Sequence, residues 1–208
     1  PEDLDVLFVA PPPELSARQA WLIDQHILRH GSAVFMVDPA AKTAMGDGML
    51  GTSRDHARSD LGALGKAWGV TLSEDAVADA ANALPVPVDT GNGRMEELAH
   101  PLFIGTPASD MNANDLVTAD LTRNVNFGAP GALLADDLPD GEDFSPLIST
   151  GPSPSYIDAG AAVRDMTPGD VLKSYKTSPQ PLVLAARLSG SLTTAFPAGA
   201  PALDEPTD

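Results

Sequence analysis

Cysteine is absent from this 208-residue chain, which excludes disulfides, thiolate metal sites and every mechanism built on a cysteine nucleophile. Positive charge is scarce: 12 basic residues stand against 29 acidic ones, a formal charge of −17. That balance repels phosphate backbones and anionic lipid surfaces, so no nucleic-acid partner is expected. Long apolar runs are also missing. None approaches the roughly 20 residues of a membrane-spanning helix, and no signal peptide is legible. What is present is 43% apolar content, enough to fill a globular core. The first residue is Pro1 and not Met, which is read as a soluble fragment of a longer protein whose anchors or signals lie outside it.

The first unit is the clearest. Val6-Leu7-Phe8-Val9-Ala10 is a continuous apolar run of the kind found in strands covered on both faces, as in parallel sheets. Ser16 and Gln19 form a capping box, and Ala20, Ile23 and Ile27 then recur at helical spacing. Gly31 closes that helix, and Ala33-Val34-Phe35-Met36-Val37 is a second apolar run. A strand, helix and strand of this length predict a crossover with parallel strands. The corner after the first strand is Pro11-Pro12-Pro13, where a phosphate cradle would need backbone N–H donors that proline lacks. The prolines read as a stiff entry to the helix, and no nucleotide site is expected there.

Residues 40–59 show no steady period and read as a long exposed loop. Leu61, Leu64 and Trp68 give a short helix ended by Gly69, and strands are expected at 76–78, 101–105 and in "FSPLISTG". Asn112 or Asn114 begins a turn of helix, "NVNFGAPGALLA" is extended, and Pro168 opens another helical turn. "PLVLAARLSG" reads as a central strand, and residues 198–208 have linker composition. The resulting expectation is one α/β domain over 1–197, a three-layer sandwich with a mostly parallel sheet.

Several polar residues invite a functional reading. Asp38 ends the second strand, where open α/β sheets place ligand-binding carboxylates, although Asp-Pro is also an ordinary turn starter. His56 has Asp55 and Asp60 near it, and Ser149 and Thr150 end a strand. Asp38, His56, Ser149 and Thr150 are therefore the candidate ligand-binding residues. His26 and His30 have zinc-pair spacing without the Glu of H-E-x-x-H, His100 reads as a turn residue, and residues 136–143 lack the calcium-loop spacing. No G-x-S-x-G elbow occurs. No catalytic set, metal or cofactor is assigned.

Three phrases carry a resemblance. "DVLFVAPPPELSARQAWLIDQHILRHGSAVFMVDP", "NDLVTADLTRNVNFGAPGAL" and the pair "FSPLISTGPSPSY" with "PLVLAARLSGSLTTAFP" resemble GldG-like proteins, auxiliary extracytoplasmic components of ABC-type transport systems, some linked to gliding motility. The resemblance runs from about Asp5 to Pro197. It implies a class I glutamine amidotransferase-like or flavodoxin-like scaffold without that fold's cysteine chemistry. It also implies a place on the periplasmic side of the bacterial inner membrane, anchored by segments outside this chain, with permease and ATPase subunits and an exported substrate as partners. The function expected is a non-enzymatic binding or coupling domain. The alternative is a hydrolase of carbohydrates or esters using Asp38 or His56, and a weaker third is a divalent cation held by acidic loops.

Overall fold

Strand β1 (Val6–Val9) and strand β2 (Ser32–Phe35) pair in parallel, and helix α1 (Ala17–Leu28) connects them, as the apolar runs predict. The computed structural model describes residues 4–9, 15–40, 58–89, 91, 93–162 and 166–202. The capping box is complete: the Gln19 N–H donates to Ser16 Oγ at 3.3 Å and the Ser16 N–H to Gln19 Oε1 at 2.9 Å. Ala20 and Ile23 of α1 meet Leu64 of helix α2 (Gly62–Ala67) and Trp68, which caps its end, with Leu7, Val9 and Phe35 packed against them. Gly69 follows at φ +61, and a side chain there would collide with the Asp137 carbonyl.

Beyond this unit the architecture departs from the expectation. The chain is mostly β, and every other named strand pairing is antiparallel. Strand β3 (Thr71–Ala78) lies between β7 (Gly131–Leu134) and β9 (Ser155–Ile157). Strand β5 (Met95–Thr106) lies between β4 (Ala83–Asp89) and β6 (Val125–Gly128). Strand β8 (Glu142–Ser149) pairs with β10 (Val183–Gly190). The mostly parallel three-layer α/β sandwich, and with it the amidotransferase-like or flavodoxin-like scaffold, is therefore corrected. The strand–helix–strand unit is real but contributes only two short strands, and the remaining strands pair antiparallel, which needs no helical crossover between them. The last apolar run is likewise no central strand: among the described residues β10 pairs with β8 alone.

The two three-stranded sheets pack through two neighbouring apolar clusters. Ala76, Ala78, Leu102 and Ile157 pack with Ala162 of helix α3 (Ala159–Ala162) and Val171 of helix α4 (Pro168–Lys173). Val77, Ile104, Ala132 and Leu184 form the adjoining cluster. The Asp79 N–H, just past β3, donates to Pro101 O of β5 at 2.8 Å, a direct bond between the two three-stranded sheets. His100 is no turn residue. It lies buried in β5, its Nδ1 accepting the Leu102 N–H at 3.3 Å, which leaves Nε2 to donate to Met166 O at 2.8 Å.

Candidate functional site

Asp38 sits just past β2 and is partly buried. Its backbone exchanges two 2.9 Å hydrogen bonds with Ser59, and its Oδ1 accepts the Ala40 N–H at 2.8 Å. This is the Asp-Pro turn. Burial raises the carboxyl pKa above the usual aspartate range, and the Ala40 N–H opposes the rise. His56 lies outside the described residues. Ser149 pairs with Val183 in the β8–β10 ladder. Thr150 is buried, its Oγ1 accepting the Leu182 N–H at 2.9 Å and donating to Gly151 O at 3.1 Å.

Asp38 and Thr150 are not brought together. Arg58, beside the residue that Asp38 pairs with, grips the Leu72 and Ser73 carbonyls near the start of β3 at 2.6 and 2.7 Å. Gly151, beside Thr150, donates to the Asp79 carboxylate just past the other end of β3 at 2.7 Å. Those ends lie roughly 20 Å apart at ~3.3 Å per strand residue.

An open depression of about 500 Å³ lies along this strand, lined by Arg58, Asp60, Glu74, Asp75, Asp158 and Ala159. Its guanidinium is engaged by Asp60, at 2.9 Å, as well as by the two carbonyls. The remaining charge on the walls is acidic, which disfavours an anionic ligand. Among the described residues no group of three His, Asp or Glu side chains could hold a metal ion.

Two buried carboxylates escape a reading of the sequence because their partners are remote. Asp79 accepts N–H groups from Ala81, Asn82 and Gly151 as well as the Asn82 amide, which also donates to Asp110. Asp24 accepts the Thr194 hydroxyl at 2.7 Å and the Ala195 N–H at 2.9 Å. Both are fully satisfied structural anchors. The spacing Asp79-x-x-Asn82 is the only local signal of the first; nothing near Asp24 signals the second.

The feature best suited to recognition is apolar. Leu7, Val9 and Phe35 turn toward α1, whereas Val6 and Phe8 of β1 are 57% and 58% exposed and Val34 and Met36 are 46% and 53% exposed. Phe8 pairs directly with Val34, so these side chains share one face, with Leu4 at its edge also exposed. The apolar runs have the pattern of strands covered on both sides, and among the described residues one side alone is covered. The chain matches, over residues 1–207, the model of a family described as an ABC-type uncharacterized transport system, auxiliary component. No curated protein and no solved structure matches it.

Proposed function

Because this chain belongs to the auxiliary-component family of ABC-type transport systems, we propose that it is a non-enzymatic module that binds or couples another polypeptide of its transport system through the open face of β1 and β2. The single observation behind this reading is that face: five apolar side chains, Leu4, Val6, Phe8, Val34 and Met36, on a rigid, helix-backed sheet. Covering it gains roughly 25 cal/mol for each Å² removed from water. A net charge of −17 disfavours an anionic membrane as the cover and leaves a protein surface as the fitting partner. The three phrases that resemble GldG-like proteins support a position on the periplasmic side of the inner membrane, with permease or ATPase-bearing subunits as partners. Residues 198–208 serve in this reading as a linker. No helix among the described residues is long and apolar enough to cross a membrane, so anchoring belongs to other segments or subunits.

The test is co-purification of the tagged protein with the permease and ATPase subunits from native membranes, for the unmodified chain and for a Phe8→Asp, Val34→Asp double variant. Both side chains are more than two-fifths exposed, but they are direct register partners, and two aspartates there repel each other. Melting temperatures are therefore recorded alongside. An uncharged, strand-compatible Phe8→Thr, Val34→Thr variant is expected to keep the fold and lose the subunits as well. Recovery of the subunits falls at least about tenfold, the scale of an interface core lost to charge. Equal recovery with both proteins overturns the assignment of this face.

A further inference from the structure

The long strand β5 outruns its neighbours. Strand β6 pairs with it only from Phe103 to Thr106, and the Asp79 N–H takes Pro101 O at 2.8 Å. From Met95 to Ala99 its only strand partner among the described residues is β4, and each of those residues is exposed. Which backbone groups face outward there follows from the prolines of β4. Pro85 pairs with Ala99 and Pro87 with Glu97, and a proline has no N–H to give. Antiparallel pairs alternate between hydrogen-bonded and non-hydrogen-bonded, so the bonded ones are Leu84 with His100, Val86 with Leu98 and Val88 with Glu96. The N–H and C=O groups of Met95, Glu97 and Ala99 therefore point away from β4. Pro101, two residues on, agrees: its carbonyl also points that way and meets Asp79.

The two sides of this hairpin are finished differently. On the β4 side the outward positions are Pro85 and Pro87, and proline at an edge stops a further strand from pairing. On the β5 side the outward ladder is intact from Met95 to Ala99, roughly 13 Å at ~3.3 Å per residue, the length of an ordinary short strand. Alternating unpaired donors and acceptors fit one kind of occupant, an extended peptide. Side-chain charge narrows the choice. Glu96 and Glu97 are exposed and form no ion pair among the described residues. The charges around them are already engaged: Asp89 accepts the Gly91 N–H, Arg94 has an interaction of its own, and Lys173 of α4, packed beside β5, is held by Asp170 at 2.9 Å. The edge is thus acidic on both faces, since successive strand residues point to opposite sides. We propose that β5 from Met95 to Ala99 is a docking edge that takes an extended basic segment of a protein partner as an added antiparallel strand. Lys or Arg stands opposite Glu96 and Glu97, and an apolar residue opposite Leu98. A second copy of the chain would bring the same glutamates and its own charge of −17, and a lipid surface has no strand to add.

The edge belongs to a different sheet from the open face of β1 and β2 and does not depend on it. The probe is an end-blocked synthetic peptide, Thr-Val-Lys-Lys-Val-Thr, which as an antiparallel strand sets a valine opposite Leu98 and lysines opposite Glu97 and Glu96. It is titrated into the full chain while backbone amide resonances and their hydrogen exchange are followed. The Glu97 and Ala99 amides are expected to become protected. A peptide with Glu-Glu in place of Lys-Lys, and one N-methylated at the lysine opposite Glu97, each bind at least about tenfold more weakly. Ala99→Pro removes an outward N–H and no hydrogen bond of the fold, repeating in β5 what Pro85 does opposite it, and weakens binding on the same scale. Its melting temperature is recorded alongside. Glu96→Lys, Glu97→Lys reverses the preference between the two charged peptides. Phe8→Thr, Val34→Thr binds the lysine peptide as the parent does, so failure of the edge and failure of the open face are read separately. Three results on the unmodified chain overturn the proposal: affinity indifferent to N-methylation or to the Glu-Glu exchange, protection confined to residues other than Met95 to Ala99, or protection there that grows with protein concentration alone. None of these depends on how a variant folds.

Discussion

A carboxyl group that burial has made harder to ionise leaves a mark on stability that can be read by titration. Asp38 has its pKa raised by burial, partly offset by the Ala40 N–H. The folded state therefore holds its proton to higher pH than the unfolded chain, whose aspartates ionise near ~3.9. The contribution of this group is most favourable below that value and is lost as pH rises through it toward the raised folded value. An Asp38→Asn variant keeps an oxygen to accept the Ala40 N–H and has no proton to lose. Its urea-unfolding stability is expected to fall less than the parent's across that interval, and parallel pH profiles for the two proteins would contradict this account of Asp38. At this scale the sequence is informative wherever the partner is near. The Ser16 and Gln19 capping box and the Asp-Pro turn form as their spacing predicts. His100, Asp79 and Asp24 look like surface residues because their bonding partners lie 66, 72 and 170 residues away.

Among the elements, the C-terminal segment after β10 depends on contacts with the first helix. Asp24 of α1 takes the Thr194 hydroxyl and the Ala195 N–H, and the indole of Trp68 donates to Thr193 O at 3.1 Å. Replacing Asp24 with Ala takes the acceptor from the half-buried Thr194 hydroxyl and Ala195 N–H, a loss of about 1.5–3 kcal/mol for hydrogen bonds to a charged group. Residues 191–196 are then expected to exchange their amide hydrogens faster and the Trp68 emission to shift toward the red. Unchanged exchange in that segment would show that Asp24 does not hold it. Elements divide in the same way as residues between local and remote signals. β1, α1 and β2 announce themselves because each is defined by its own periodicity and joined by one short crossover. The pairing of β3 with β7 and β9, and of β4 with β5 and β6, depends on registers set across the fold. A strand such as β5 opens with Met95-Glu96-Glu97, which carries no strand signal of its own. The polar candidates Asp38 and Thr150 were visible as residues, but their separation along β3 was not. The open face was visible as an excess of apolar residues, but not as a surface.

For the molecule as a whole, charge and exposed apolar surface act against each other. At neutral pH a net charge of −17 keeps copies apart. Near the isoelectric point of about 4.3 that repulsion vanishes, and the open face of β1 and β2 becomes the most favourable place for copies to meet. Light scattering is expected to rise sharply near that pH for the unmodified chain and much less for the Phe8→Asp, Val34→Asp variant. A rise of the same size in both would locate the sticky surface elsewhere. The correction from a parallel sandwich to a set of antiparallel sheets also belongs to this scale, since two parallel strands do not dictate the topology of the strands after them.

Strand β10 runs between the turns at residues 112–121 and the packing behind β1 and β2. Arg187 holds Asp115 in those turns, and its neighbour Leu188 packs into the cluster around α1 and Trp68, because successive strand residues point to opposite sides. A pull on those turns reaches β10 through that ion pair and β8 through Asn112, whose N–H and amide donate to Leu147 O and Pro146 O. The antiparallel ladder with β8 spreads that tension over paired residues from Val183 to Gly190. The β8–β10 ribbon is in this sense a tie between those turns and the packing behind β1 and β2.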